Sequence, residues 1–295
     1  MEEFSAETKQ WINEGWETRK NHFPDVIGFD YPVATESISL TGTSCELNCA
    51  HCGQHYLKGM TDLADVKVPR EEEDGSSYRS ALISGGCTSE GKVPFTAHLD
   101  LLHELKKSRH LNFHVGLLDD EEIPLLKGLA DVVSFDFVGD QETIEEVYRL
   151  KRSLVDYIHV YQNLKKQVQV MPHLTLGLRG GEWGGEAKAL DLLEELGLDG
   201  LVFLVFIPTP GTRYADRQPP ELESVIRFLA QARLRFPDIS LSLGCMRPKG
   251  QYRKKLDEAG VALGLNRIVL PTPDARRLAV ERGLSVVRGE ECCAL

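Results

Sequence analysis

Eight short β-rich runs, set apart by helical patterns, constrain this chain more than any other feature. They cover 37–41, 80–84, 112–117, 132–138, 169–176, 201–207, 239–243 and 267–270. Each is a near-continuous apolar stretch, as in a parallel sheet covered on both faces. Residues 221–236 put Leu222, Val225, Ile226, Leu229, Ala232 and Phe236 on one helical face. Residues 187–196 do the same with Ala189, Leu192, Leu193 and Leu196, and stop at Gly197. Thr272-Pro273 reads as an N-cap and first helical residue, with Gly283 as the stop. Further helices are expected at 143–150 and 155–166. Eight strand–helix units predict an α/β fold, a (β/α)8 TIM-type barrel. An open doubly wound sheet is the rival, but no GxGxxG or GxxxxGK[ST] follows any run.

The barrel is expected over 37–283, behind an N-terminal helical extension (1–36) and ahead of a C-terminal tail (284–295). The extension carries a predicted helix at 7–22, packed by Trp11, Ile12 and Trp16. Residues 70–77 (REEEDGSS) read as a solvated loop. With 34 basic against 45 acidic residues the formal charge is -11. That charge argues against general binding of nucleic acid or anionic membrane. No apolar run is long enough to span a bilayer. The acidic, polar start MEEFSAETKQW does not read as a secretion signal. A cytoplasmic protein with neither membrane nor nucleic-acid partner is therefore expected.

Three of the seven cysteines, Cys45, Cys49 and Cys52, lie too close together for a disulfide framework. In a reducing cytosol, clustered thiols bind metal or do chemistry. Their segment, TGTSCELNCAHCGQHYLKGM (41–60), follows the first run directly, which puts it at the C-terminal mouth of a barrel. A [4Fe-4S] cluster ordinarily takes four thiolates, so three leave one iron open. Zinc is the alternative, with His51 or His55 completing the set. Against zinc, no second CxxC cluster is present.

CxxxCxxC after the first strand of a β/α barrel resembles the radical S-adenosylmethionine (SAM) superfamily. The resemblance implies a [4Fe-4S] cluster on Cys45, Cys49 and Cys52, with SAM chelating the open iron through its amine and carboxylate. An electron from the cluster then splits SAM to give a 5′-deoxyadenosyl radical. His51 stands where the family often has an aromatic residue. The second run ends in Ser84-Gly85-Gly86-Cys87, and the resemblance implies that the backbone of Gly85 and Gly86 approaches the SAM methionine. Glycine suits that role because no Cβ blocks the approach. Asp136, ending the fourth run, can accept from ribose hydroxyls or cap the next helix. Segment 173–182 resembles the family's GxIxGxxE-like stretch beside the adenine. Within it Arg179 is a candidate for the SAM carboxylate or a surface arginine, and His173 reads as a core or strand-end residue. Residues 208–212 form a rigid turn that shapes the pocket.

Four cysteines remain. Cys87 and Cys245 end the second and seventh runs, and Cys292 and Cys293 close the tail. Extended at about 3.3 Å per residue, residues 284–291 reach roughly 26 Å, enough to return the tail to the mouth. The four thiols are expected to converge on an auxiliary [4Fe-4S] cluster, held by all four or by three with a labile or non-cysteine fourth ligand, the alternative being ordinary buried cysteines and a loose tail. The strings TGTSCELNCAHC…LKGM and LISGGCTSEGKVP, with the tail pair, look similar to biotin-synthase-related proteins and to the bipartite lipoyl synthases among them. That likeness implies sulfur insertion into unactivated C–H bonds of an octanoyl chain on a carrier protein or peptide. It also implies a second radical SAM subunit and an electron donor such as ferredoxin or flavodoxin. Three alternatives stay open: another radical SAM reaction, a one-cluster electron-transfer protein, and a zinc-stabilised binding barrel. Arg247, Lys249, Arg253, Lys254 and Lys255 read either as a docking patch for an acidic carrier or as a solvated helix start.

Overall fold

Alternation within each strand decides which side chains face in. In β7 (Gln169–Leu176), Val170, Pro172, Leu174 and Leu176 are buried toward the helices, while Met171 and Thr175 stay half-exposed on the other face. The same phase holds in β2 (Thr35–Ser39), β4 (Ser80–Ser84), β6 (Val132–Asp136) and β8 (Gly200–Val205). Ser37, Leu82, Asp136 and Leu204 are their half-exposed inward residues. Mid-strand residues keep exposure only if that face lines an open lumen.

The computed structural model describes residues 4–67 and 78–295. The expected loop at 70–77 lies outside the described residues. All eight expected strands are present, now with β5 (His110–Phe113), β9 (Ser240–Leu243) and β10 (Arg267–Val269). Three more join them: β1 (Val26–Asp30), β3 (Thr61–Asp62) and β11 (Ser285–Gly289). Every pairing is parallel, in the order β11-β1-β10-β9-β8-β7-β6-β5-β4-β2-β3. β1 falls within the stretch expected as a helical extension. Its VIGFD sequence is short and carries Gly28, a weak strand signal, and it is held by partners on both sides.

Among the described residues no strand pairing joins the two ends of the curled sheet, so no ladder closes the barrel there. Instead the tail after β11 bridges the gap. Ala34 N–H donates to Glu290 O (2.8 Å), Cys292 N–H donates to Thr35 Oγ1 (2.8 Å), and Arg79 pairs with Glu290 (3.0 Å).

Helices cover the outer face: α1 (Ala6–His22), α2 (Leu99–Lys106), α3 (Leu154–Lys165), α4 (Glu186–Leu196), α5 (Leu222–Arg235), α6 (Gly250–Ala262) and α7 (Pro273–Glu281). Ser5 caps α1, and Ile12 rather than Trp11 or Trp16 is its fully buried anchor. The helix expected at 143–150 is instead a π-helix, Ile144–Tyr148, which ends at Arg149 in the left-handed region. Such wide turns concentrate at functional sites, and this one lies against the cysteine loop.

Candidate functional site

The loop after β2 is pinned from three sides. Ser39 Oγ donates to Gly42 O (2.6 Å), and Gln54 Nε2 donates to Cys45 O (3.0 Å). Ala50 N–H donates to Val147 O in the π-helix (2.8 Å), and Ala50 O accepts from Tyr214 N–H (3.1 Å). Tyr56 shares a 2.7 Å hydrogen bond with Thr209 in the turn after β8. The loop reverses at Gly53 and Gln54, both with positive φ (49° and 65°). For Gln54 that conformation is costly, and the surrounding contacts hold it in place.

The end of β4 lies directly on this loop. Thr41 Oγ1 accepts from Gly86 N–H (2.6 Å), Cys87 O accepts from Glu46 N–H (2.8 Å), and Cys87 N–H donates to Cys45 Sγ (3.3 Å). A Cβ on Gly86 would stand 1.8 Å from Ser44 O and 2.6 Å from Cys45 Cβ, so only glycine permits this approach. Burial, then Cys52, Cys87 and Cys45 in that order, push the Cys49 thiol up. Burial, Cys45, Asp136 and Cys52 raise Cys87 to about 12. Cys87, expected to join the tail cysteines, therefore stands with the loop cysteines. The reason is local: three hydrogen bonds made by the backbone of residues 86–87 tie them to residues 41–46.

The remaining thiols form a separate group. Cys292 Sγ accepts from Asn112 Nδ2 (3.3 Å), on the inward face of β5. A hydrogen bond from Cys293 pulls the Cys292 thiol down, and the same bond pushes Cys293 up. Cys245, after β9, is raised by burial and then by Cys292. Arg267 lies within electrostatic reach of both tail thiols, and its guanidinium is held by Asp30 at 2.9 and 3.0 Å. The tail leaves the C-terminal end of β11 and meets the sheet at the start of β2, where Thr35 accepts from Cys292 N–H.

A polar constellation occupies the lumen. His114 Nε2 lies 3.1 Å from Asp136 Oδ2, and the His173 ring stacks on His114 with centroids 5.9 Å apart. Burial opposes the Asp136 charge, but attraction from His114 and its hydrogen bond outweigh it and bring the carboxyl to about 2. Burial also opposes a charged His114, yet Asp136 wins and raises it. His173 and His51 are both lowered to about 4, mainly by burial, and stay neutral. Asp136 Oδ1 and His51 Nδ1 are buried without a hydrogen-bond partner. Asp136 does not cap the next helix. Asp140 does that, accepting from Thr143 N–H at 2.7 Å. His114 was not foreseen from the sequence, although its two-residue phase with Asn112 points inward.

Other expected residues are engaged elsewhere. Arg179 is held by Glu142 (2.7 and 2.9 Å) and Glu146 (3.0 and 3.1 Å). Glu146 also accepts from Tyr214 Oη. Arg247 is a buried strut, not part of a docking patch. It pairs with Asp257 (2.7 Å) and donates to the carbonyls of Gly244 and Val269. Arg253 donates to Leu270 O (2.9 Å), and Lys254 pairs with Asp274 (2.9 Å). Arg247, Arg253 and Lys254 thus satisfy carbonyls and carboxylates around β9, β10 and α7, while Lys249 stands exposed. Among the described residues, no three His, Cys, Asp or Glu side chains converge to hold a single metal ion.

No family model and no curated protein matches the chain. Solved structures share its fold. Methylornithine synthase PylB matches with a TM-score of 0.67 and 15% identity, over 97% of this chain and 91% of that one. The FeFe-hydrogenase maturase HydG from Carboxydothermus hydrogenoformans gives 0.66 and 12%, over 96% and 73%. SuiB from Streptococcus suis, bound to S-adenosylmethionine, gives 0.52 and 11%, over 76% and 52%. At such identities the likeness is one of fold. No helix among the described residues is long and apolar enough to cross a membrane.

Proposed function

We propose that this protein is a radical SAM enzyme that inserts sulfur into unactivated C–H bonds of a protein-bound octanoyl chain, working with a second radical SAM subunit. The observation that carries the radical SAM reading is the loop of Cys45, Cys49 and Cys52, where Gly86 packs on Ser44 and Cys45 across a gap too narrow for a Cβ. Thiols are the ordinary ligands of an iron–sulfur cluster. The likeness in fold to a SAM-bound neighbour supports the same reading.

Cys45, Cys49 and Cys52 would hold the first cluster, and Cys245, Cys292 and Cys293 a second. When bound, the first supplies the electron that splits SAM, and the second supplies sulfide. The chain's own residues then orient and exclude water. Gly85 and Gly86, packed against the cysteine loop, would present backbone groups to the methionine end of SAM. Asp136 Oδ1, held ionised by His114, offers an acceptor to a hydroxyl or amide N–H. Half-exposed Leu82, Met171 and Leu204 give the lumen apolar surface for an alkyl chain. Arg179, committed to Glu142 and Glu146, would reach SAM only by leaving them, so its part is to brace the π-helix.

Anaerobic reconstitution tests the reading. About eight irons per chain mark two cubane clusters and about four mark one. Dithionite and SAM should then give 5′-deoxyadenosine, and Cys49→Ala should abolish it. An octanoyl-lysyl peptide offered with the second subunit should gain the mass of sulfur. A colourless protein without iron would overturn the proposal.

A further inference from the structure

The molecule sorts its seven cysteines four and three. The loop group has a fourth thiol, Cys87, which CxxxCxxC does not include. Its backbone is locked to the loop at both ends, by the N–H to Cys45 Sγ (3.3 Å) and by the carbonyl to Glu46 N–H (2.8 Å). Its thiol is half-buried and neighbours Cys45, Cys49 and Cys52. Cubane clusters ordinarily take four thiolates, and four thiols are gathered here.

We infer that Cys87 is a displaceable fourth ligand of the first cluster, capping the open iron until SAM binds. The inference rests on the radical SAM reading and adds a resting state to that site. The exchange balances without any redox change. To bind iron through its amine nitrogen, the α-ammonium group of SAM must shed one proton. The departing Cys87 thiolate needs one proton to leave as a thiol. One iron–sulfur bond breaks, iron–nitrogen and iron–oxygen bonds form, and the proton passes from SAM to Cys87 Sγ. The cap would protect the open iron from loss and from stray ligands while SAM is absent.

The first cluster can be read alone in Cys245→Ala/Cys292→Ala/Cys293→Ala, which lacks the second thiol group. Reconstituted without oxygen, this parent should hold about four irons. Mild ferricyanide oxidation strips an uncapped iron and leaves a three-iron cluster with its own paramagnetic signal. The parent should keep all its iron under that treatment. Adding Cys87→Ala should bring the count to about three and produce the signal, and Cys87→Ser, a smaller perturbation, should do so partially. If the capped form outnumbers the open one about ten to one, removing Cys87 should tighten the apparent SAM Kd about tenfold. Equal iron retention with and without Cys87, in both variants, overturns the cap while leaving the radical SAM reading intact. A parent that binds no iron overturns the reading together with the cap.

Discussion

Gly86→Ala concentrates the chemistry of the mouth in one methyl group. The new Cβ would lie 1.8 Å from Ser44 O, 2.6 Å from Cys45 Cβ and 2.7 Å from Cys45 Cα, where real Cβ atoms stay at least 3.0 Å from such neighbours. The deficit against Ser44 is 3.0 less 1.8, so the two segments must part by about 1.2 Å at that point. None of these neighbours is the far end of a flexible side chain, so the backbone must yield. Overpacking of this kind costs about 1–3 kcal/mol, or about 2–4 °C of Tm per kcal/mol in a chain of this size. The chemical effect should exceed the loss of stability. A displacement of about 1 Å at a reacting site lowers rate about a hundredfold, and here it moves Cys45 and breaks the Cys87–Cys45 hydrogen bond. Gly59→Ala is the control, since Gly59 lies in the cysteine segment 41–60 and its Cβ would meet nothing within 4 Å. The assay is 5′-deoxyadenosine formed per iron, alongside thermal melting. Gly86→Ala with wild-type iron content and wild-type SAM cleavage would falsify the close-approach argument.

Arg247→Met should destabilise the fold by about 3–5 kcal/mol by stranding the buried Asp257 carboxylate, and pairing it with Asp257→Leu should recover much of that loss in a denaturant titration. Deleting residues 290–295 should lower iron from about eight to about four per chain, and an unchanged count would separate the tail from any cluster. The His114–Asp136 pair predicts a pH signature. His114, raised above its ordinary 6.5, adds stability that is complete below pH 6.5 and fades as pH climbs through the raised value. Asp136, lowered from 3.8 to about 2, adds stability that is present above pH 3.8 and fades as pH falls toward 2. The Tm difference between wild type and Asp136→Asn should therefore peak between pH 4 and 6.5 and shrink on either side, and a flat difference would refute the pairing. Tyr214→Phe removes one hydrogen bond to Glu146 and should cost about 0.5–1.5 kcal/mol by the same melting assay.

The sheet was legible because its signals are local. The runs at 80–84 and 169–176 coincide with β4 and β7, where apolar β-branched or aliphatic residues alternate against covering helices. Gly197 and Gly283 stop their helices with positive φ (73° and 76°), as their positions require. β1 escaped notice because it is short, carries Gly28 and is followed by no helix of its own, whereas β11 lies within the stretch 284–291 expected to be extended. The cysteine loop was legible from spacing alone. The grouping of its partners was not, since Cys87 lies with Cys45 through backbone hydrogen bonds that leave no trace in residue type. Arg247 misled for a related reason. A basic residue among lysines reads as surface, and only the fold reveals Asp257 waiting beneath it at 2.7 Å. His114 could have been found by counting two residues on from Asn112.

The last six residues deserve a different description from that of a tail. They fasten the two free margins of the sheet together and carry two of the three inner sulfurs as they do so. Seating those sulfurs and shutting the side of the chamber are thus one thermodynamic event, and any ligand that favours the first favours the second by an equal amount. A chain whose inner sulfurs are drawn away acquires a doorway in its flank.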